Sequence, residues 1–336
     1  MAEIPEAAVA APTPRVRGFW VIPSAAARRV GRGYFALQAV AGAAWWVAVF
    51  TAPGVREATL GRIDPVLMGL FDVPLFVLGS AFAATGDARP VARRAACAVA
   101  VWTLLVTAGL GVYATITGEA GWGALIMTAA SVGTTAAWLL VSYGRIPAEA
   151  LLAGPLGFDT AGSASLGRQL ARTLLQLSGF WVLFLAALPA LIVFVEHRWA
   201  LHLPLPAWSR ALGSALLLLA SALGVWAAFA MSLRGDGTPL PSASANRLVV
   251  AGPYRWVRNP MALAGIAQAA GVGLVGESWL VVVYALCGAL YWNALVRPFE
   301  EADLEVRFGA AFVSYRQCVR CWAPRLRPVP APPIAE

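Results

Sequence analysis

The sequence predicts an all-α integral membrane protein of about eight transmembrane helices with both termini on the cytoplasmic side. Three observations carry that expectation. Sixty per cent of the 336 residues are hydrophobic and 12% are charged, whereas a soluble domain carries about a quarter charged residues. Uncharged runs approach or exceed the roughly 18 residues that a helix needs to cross a hydrocarbon layer about 30 Å thick. The 25 basic residues are all arginine, and they gather in the segments between alternate runs, as they do in cytoplasmic loops.

Taken in order, residues 1–33 contain Glu3, Glu6, Pro12 and Pro14 and lack the basic-then-apolar order of a signal peptide, so they read as a disordered cytosolic tail. Spans are expected at 34–52, 66–85, 95–116, 122–143 and 173–195, forming a five-helix region over 34–200. The stretch 144–172 mixes Gly, Pro and Ser with short apolar runs and reads as a surface loop. A second module, 201–327, holds spans at 208–232, 261–276 and 278–296. The last two make a helical hairpin turning near Gly276 and Glu277, with Pro260 in the first turn of its opening helix. Leu304, Phe308, Phe312 and Tyr315 fall at helical intervals, which predicts a cytoplasmic amphipathic helix over 302–316 folding back over a site. Residues 328–336 read as a disordered tail. In this topology only Arg56, Arg62, Arg198 and Arg210 lie on the outer side.

Several chemistries are excluded at the cytoplasmic face. The only histidines, His197 and His202, fall in an outer loop, which removes imidazole acid–base chemistry. No His, Cys and carboxylate cluster suggests a metal. With no lysine there is no phosphate-binding G-x-x-x-x-G-K-[ST] loop. The arginines form no basic domain for nucleic acid. Cys318 and Cys321 make a lone C-x-x-C and read as incidental thiols. Asp72 is charged within a span and is by default a functional question, with pairing to a hydroxyl as the plain reading.

Two stretches remain, NRLVVAGPYRWVRNPMALAG over 246–265 and RPFEEADLEVRFGAAFVSYRQCVRCWAPR over 297–325. Together they resemble the isoprenylcysteine carboxyl methyltransferase and phospholipid methyltransferase superfamily. Its signature runs L-V-x-x-G-x-Y-x-x-x-R-H-P-x-Y-x-G, then a hairpin, then E-E-x-x-L-x-x-x-F-G-x-x-Y-x-x-Y and V-P-x-x-x-P. Leu248, Val249, Gly252, Tyr254, Arg258, Pro260 and Gly265 match the first part, and Glu300, Glu301, Leu304, Phe308, Gly309 and Tyr315 match the second. Val319 and Pro324 match the end. Gly235, Gly237, Thr238, Pro239 and Pro241 look like a G-x-G-T-P-x-P run of some bacterial members. Asn259 stands where the family has His, Ala262 where it has Tyr, Phe312 where it has the first Tyr after F-G, and Arg320 where it has Pro.

The resemblance implies a cofactor, S-adenosylmethionine, and a lipophilic substrate taken from the membrane lipids, with no metal and no nucleic acid. Carried across by position, the cofactor would be lined by Asn246, Leu248, Val249, Gly252, Tyr254, Asn259, Pro260 and Ala262. Glu300 and Glu301 would follow, one of them accepting hydrogen bonds from the cofactor. Arg258 and Arg297 would serve the reaction, Arg297 standing about one residue from the family's substrate-facing arginine. Methyl transfer suits a face without imidazole, because the sulfonium is already activated and positioning supplies much of the barrier reduction. Without the resemblance, Glu300 and Glu301 would read as a solvated face and Arg258 as a membrane anchor. Two alternatives stand beside this reading: a nicotinamide-dependent membrane reductase of related architecture, and a non-catalytic scaffold or transporter in which Ala262 marks a degenerate site.

Overall fold

The computed structural model describes residues 24–85, 90–147, 166–235 and 246–330. Residues 1–23, most of the 144–172 loop, and Gly237, Thr238, Pro239 and Pro241 lie outside them. Among the described residues there is no strand. The helices are α1 (Ser24–Thr51), α2 (Pro53–Leu60), α3 (Pro65–Thr85), α4 (Pro90–Thr117), α5 (Gly121–Tyr143), α6 (166–198), α7 (Ser209–Gly235), α8 (Pro260–Val275), α9 (Trp279–Tyr291) and α10 (Arg297–Cys318). A π-helical turn, Trp292–Val296, joins α9 to α10.

Among the described residues, seven helices are long and apolar enough to cross a membrane: α1, α3 to α7, and the continuous α9–α10 segment. The short seventh span expected from sequence is α8, whose 16 residues rise about 24 Å. The turn between α8 and α9 falls at Gly276–Ser278, and Ser278 caps α9 by accepting from Val281 N. The first helix begins at Ser24, ahead of its apolar window. Its arginines are usable inside a helix because Arg28 Nη1 reaches the carbonyl of Val141, 2.6 Å away, at the C-terminal end of α5. A hydropathy window registers where the side chains become apolar, not where hydrogen bonding starts.

Two packed groups result. Helices α1, α3, α4 and α5 form the first, and α6 to α9 the second. In the first group the Asp72 carboxylate accepts from two indoles, Trp46 Nε1 at 2.9 Å and Trp102 Nε1 at 2.8 Å. Its partners are ring N–H groups on two helices, not the hydroxyl anticipated, and it acts as a buried pin between α1, α3 and α4. In the second group α7 and α8 are the most closely apposed, because Gly213 and Gly271 bring their backbones together. A Cβ on Gly213 would lie 2.9 Å from the Gly271 carbonyl, the small-residue contact that favours helix association in lipid. The groups meet where Trp122 stacks on Trp279 at 6.0 Å and Arg198 bonds the carbonyls of Thr115 and Ile116.

Two wide turns shape the second group. In α6 the π-helical turn Trp181–Ala187 precedes Pro189, and in the α9–α10 segment Trp292–Val296 precedes Pro298. A proline inside a helix lacks its donor and its ring crowds the carbonyl four residues back. Those carbonyls belong to Leu185 and Ala294, each within its π turn. Widened turns of this kind recur at functional sites.

Candidate active site

The segment after α7 returns through an extended stretch and a short 3-10 turn, Gly252–Arg255, before Asn259 caps α8. Asn259 Oδ1 accepts from Ala262 N at 3.0 Å, and Pro260 takes the first helical position, where its missing N–H costs nothing. The other end of the Asn259 amide, Nδ2, donates to Glu300 Oε2 at 3.2 Å. Beside it Arg258 Nη2 meets Glu301 Oε1 at 2.7 Å, and both side chains are only 13% exposed. Arg297 Nε lies 3.6 Å from the same oxygen. The two stretches singled out by sequence are therefore in direct contact across the α8–α9 hairpin.

The expected single helix over 302–316 is broken. Gly309 has φ 53° and ψ −130°, a conformation that is essentially glycine's alone, and the chain reverses there. Arg316 Nη1 accordingly reaches Glu305 Oε2 at 2.9 Å, although eleven residues of straight helix would separate them by about 16 Å. The reversal still buries the anticipated stripe: Phe312, Tyr315 and Val319 pack with Leu304, Phe308, Leu248 and Val250. Beyond α10 the chain runs as a strap along 255–258. Arg258 N donates to Arg320 O, Arg325 N to Trp256 O and Val329 N to Arg255 O, at 2.9, 2.9 and 3.0 Å. Arg258 Nη1 also donates to the carbonyls of Arg316 and Val319 at 3.0 and 2.8 Å. Trp322 closes the strap on the π turn, its Nε1 donating to Asn293 Oδ1 at 2.8 Å.

A cavity of about 350 Å³ opens from this junction between α6, α8 and α9, within the usual range for small-molecule sites. Asn259 and Glu300 stand at one end of its lining, and along α8 it extends as far as Ala269, about 15 Å. Both π turns contribute wall, through Trp181, Phe184 and Leu185 on one side and Trp292 and Val296 on the other. Of the residues expected to bind cofactor, Asn259, Ala262 and Glu300 line this cavity. Val249 and Tyr254 pack against Ala227 and Met261, Leu248 packs under α10, and Pro260 is buried. Gly252 sits against Trp226 and Ala230. Asn246 is exposed beside the end of α7. Arg258, Arg297 and Glu301 stand behind the wall. The α6 contribution was not foreseen, since its apolar residues differ in nothing from lipid-facing ones by composition.

The electrostatics follow from enclosure. The six charged residues between Arg297 and Arg307 place this part of α10 beyond the hydrocarbon. Burial raises the Glu300 carboxyl to about 7, with the neighbouring carboxylates Glu301 and Asp303 adding to the effect and Arg258 and Asn259 opposing it. Burial, with the charge of Glu300, pushes the Tyr254 phenol well above its ordinary range, so it stays a neutral donor. Its hydroxyl is buried and has no hydrogen-bond partner, and the same holds for Arg258 Nε and Arg297 Nε. Among the described residues no group of His, Cys, Asp and Glu is arranged to hold a metal ion.

Residues 208–311 match the family model for phospholipid methyltransferase. No curated protein and no solved structure is detectably similar to the chain. The match spans α7, α8, α9 and the first half of α10, consistent with the superfamily that the two sequence stretches resemble.

Proposed function

We propose that this integral membrane protein, which carries a phospholipid methyltransferase domain over residues 208–311, transfers a methyl group from S-adenosylmethionine to a lipophilic, membrane-borne substrate. The observation that carries the reading is the closure of the Arg258–Pro260 turn on Glu300 and Glu301 at the polar end of an apolar cavity. When bound, the cofactor supplies an activated sulfonium methyl, so the chain's own work is positioning and exclusion of water.

The residues present fit such a group. Glu300 offers an acceptor for amino or ribose hydroxyl donors. The N-terminus of α8, which lines the cavity at Asn259 and Ala262, offers donors for a carboxylate. Met261, Ala262 and Trp292 give an apolar wall. Arg258 and Arg297 hold Glu301 and, through the strap, the shape of the site, so they act as positioning residues. A cation at the cavity mouth draws Glu300 toward its ionised form. We take α6 to α10 as the functional unit, because α6 walls the cavity. By the arginine bias, the end bearing Arg258 and Glu300 faces the cytoplasm. Candidate acceptors are an isoprenylcysteine-type carboxylate, a phospholipid amine and a small thiol.

The test is a pair of titrations of the protein in nanodiscs, with S-adenosylmethionine and with NADPH. Saturable binding of the first only, abolished by Glu300→Ala combined with Glu301→Ala, is expected. Preference for NADPH assigns a reductase, and wild-type protein binding neither removes the reading.

A further inference from the structure

We infer that Gln176 on α6 is a binding residue of the cavity, its side-chain amide N–H donating to an oxygen acceptor, a carbonyl or phosphoryl oxygen, that the lipophilic occupant carries one helical turn in from the Asn259–Glu300 end. Calling that occupant the substrate rests on the methyl-transfer reading. The hydrogen bond itself rests on the cavity alone.

Helix α6 precedes the matched segment 208–311, yet it supplies Gln176, Phe180, Trp181 and Phe184 to the wall. Contacts on either side of Gln176 fix its depth. Just before it the Thr173 hydroxyl shares a hydrogen bond of 2.8 Å with Ser232 near the end of α7. One turn after it the Phe180 ring lies 3.3 Å from where a Cβ on Gly265 would stand. Helices α6 and α8 run in the same direction, since Glu196 at the far end of α6 meets Ser278 just beyond α8. Gln176 therefore stands level with Met261 and Ala262, one turn inside Asn259.

Its amide has a sealed end and an open one. Oε1 is buried without a hydrogen-bond partner, whereas Nε2, also unpartnered, is the end that remains open in a half-buried side chain of the cavity wall. This orientation is the less costly of the two. It seals one carbonyl, while the reverse would seal an NH2 with two donors, and orphaned N–H groups are the rarer in protein interiors. The second glutamine of the wall is already engaged, Gln268 Nε2 donating to Ser221 Oγ at 3.0 Å. The wall around Gln176 is braced, since Tyr284 on α9 donates to the Phe184 carbonyl within the π turn of α6 at 3.2 Å. A hydrocarbon occupying this level would leave the Gln176 N–H dry and unpaired, which is unfavourable. An occupant with an oxygen acceptor there relieves that cost.

The experiment uses the full chain in nanodiscs of neutral lipid, without cofactor. A photoreactive long-chain ketone is crosslinked and its sites are mapped by peptide mass spectrometry. Labelling is then competed with an unreactive long-chain methyl ketone and with the isosteric alkene, in which a methylene replaces the carbonyl oxygen, compared by mole fraction in the bilayer. Labelling is expected in 176–185 and 284–296, with the ketone competing at about fivefold lower mole fraction than the alkene, the worth of one net hydrogen bond. Gln176→Met and Gln176→Leu carry no donor and should bring that ratio to one by weakening the ketone alone. A ratio of one in wild-type protein, a ratio unaltered in both variants, or labelling outside those segments would each overturn the inference. The cofactor's carboxylate is the other source of an oxygen acceptor, and a titration of Gln176→Met with S-adenosylmethionine separates the two. Lost cofactor affinity with the ketone preference intact assigns the donor to the cofactor and overturns the inference as well. The competition needs no cofactor, so failure of the methyl-transfer reading leaves it standing, and its own failure leaves the wild-type cofactor titration untouched.

Discussion

Replacing Arg258 with methionine should release the whole strap rather than weaken one ion pair. The guanidinium holds Glu301 at 2.7 Å and the carbonyls of Arg316 and Val319 at 3.0 and 2.8 Å, so it ties the two arms of the reversed α10 to each other and to α8. With both side chains 13% exposed, the pair is close to buried, and removing one partner of such a pair costs about 3 kcal/mol or more. What remains near Glu301 is Arg297 Nε at 3.6 Å. A loss of about 3 kcal/mol is roughly a hundredfold in the local opening equilibrium. Hydrogen exchange in nanodiscs reads it at the amides of Arg325 and Val329, which bond Trp256 and Arg255. Their exchange should accelerate by about two orders of magnitude while α7 and α8 stay protected. Arg258→Met combined with Glu301→Leu should recover most of the protection, because no charge is left unpaired. Exchange in Arg258→Met indistinguishable from wild type would refute the reasoning.

Other perturbations separate further parts of the account. The folded Glu300 carboxyl lies at about 7 against an ordinary 4.5, so the folded chain holds a proton that the unfolded chain releases between those values. The stability it contributes is complete below 4.5 and lost as pH rises through 7. Glu300→Gln should flatten that part of the profile in thermal denaturation, and cofactor affinity should strengthen through neutral pH only while Glu300 is present. Gly309→Ala meets no atom within 4 Å, so its cost is conformational, about 1–3 kcal/mol, seen as faster exchange at Phe312 and Tyr315. Asp72→Ala strands the indoles of Trp46 and Trp102 and should cost about 2 kcal/mol in nanodisc denaturation, more than Asp72→Asn, with cofactor binding unchanged. Ala262→Tyr should tighten cofactor binding in calorimetry if the cavity wall contacts the cofactor, and do nothing if the site is degenerate.

The membrane fold was legible because hydropathy alone separates α1, α3 to α7 and α9 from their loops, and the hairpin turn announced itself in Gly276 and Glu277. The meeting of the Arg258–Pro260 turn with Glu300 followed from motif order, since a hairpin brings its two ends to one side, whereas the capping of α8 by Asn259 is seen only in the structure. The reversal at Gly309 was hidden, because an amphipathic stripe reads the same on one helix as on two folded together. The strap from Val319 to Val329 was hidden too, being held by backbone hydrogen bonds that any sequence can make. The participation of α6 was the least legible: a phenylalanine or tryptophan facing a cavity and one facing lipid have the same hydropathy. The Asp72 pin was visible as a charge in a span, but its indole partners lie 26 and 30 residues away on other helices.

The central claim is that two pieces of chain, meeting at Arg258–Asn259 and Glu300–Glu301, hold a methyl donor against a membrane cavity. Incubation of the protein in lipid nanodiscs with methyl-labelled S-adenosylmethionine, followed by mass spectrometry of the lipid and metabolite fractions, tests it most directly. The account predicts label in a lipophilic product, absent with the Glu300→Ala and Glu301→Ala double variant. Equal background label from wild-type and variant protein would contradict it.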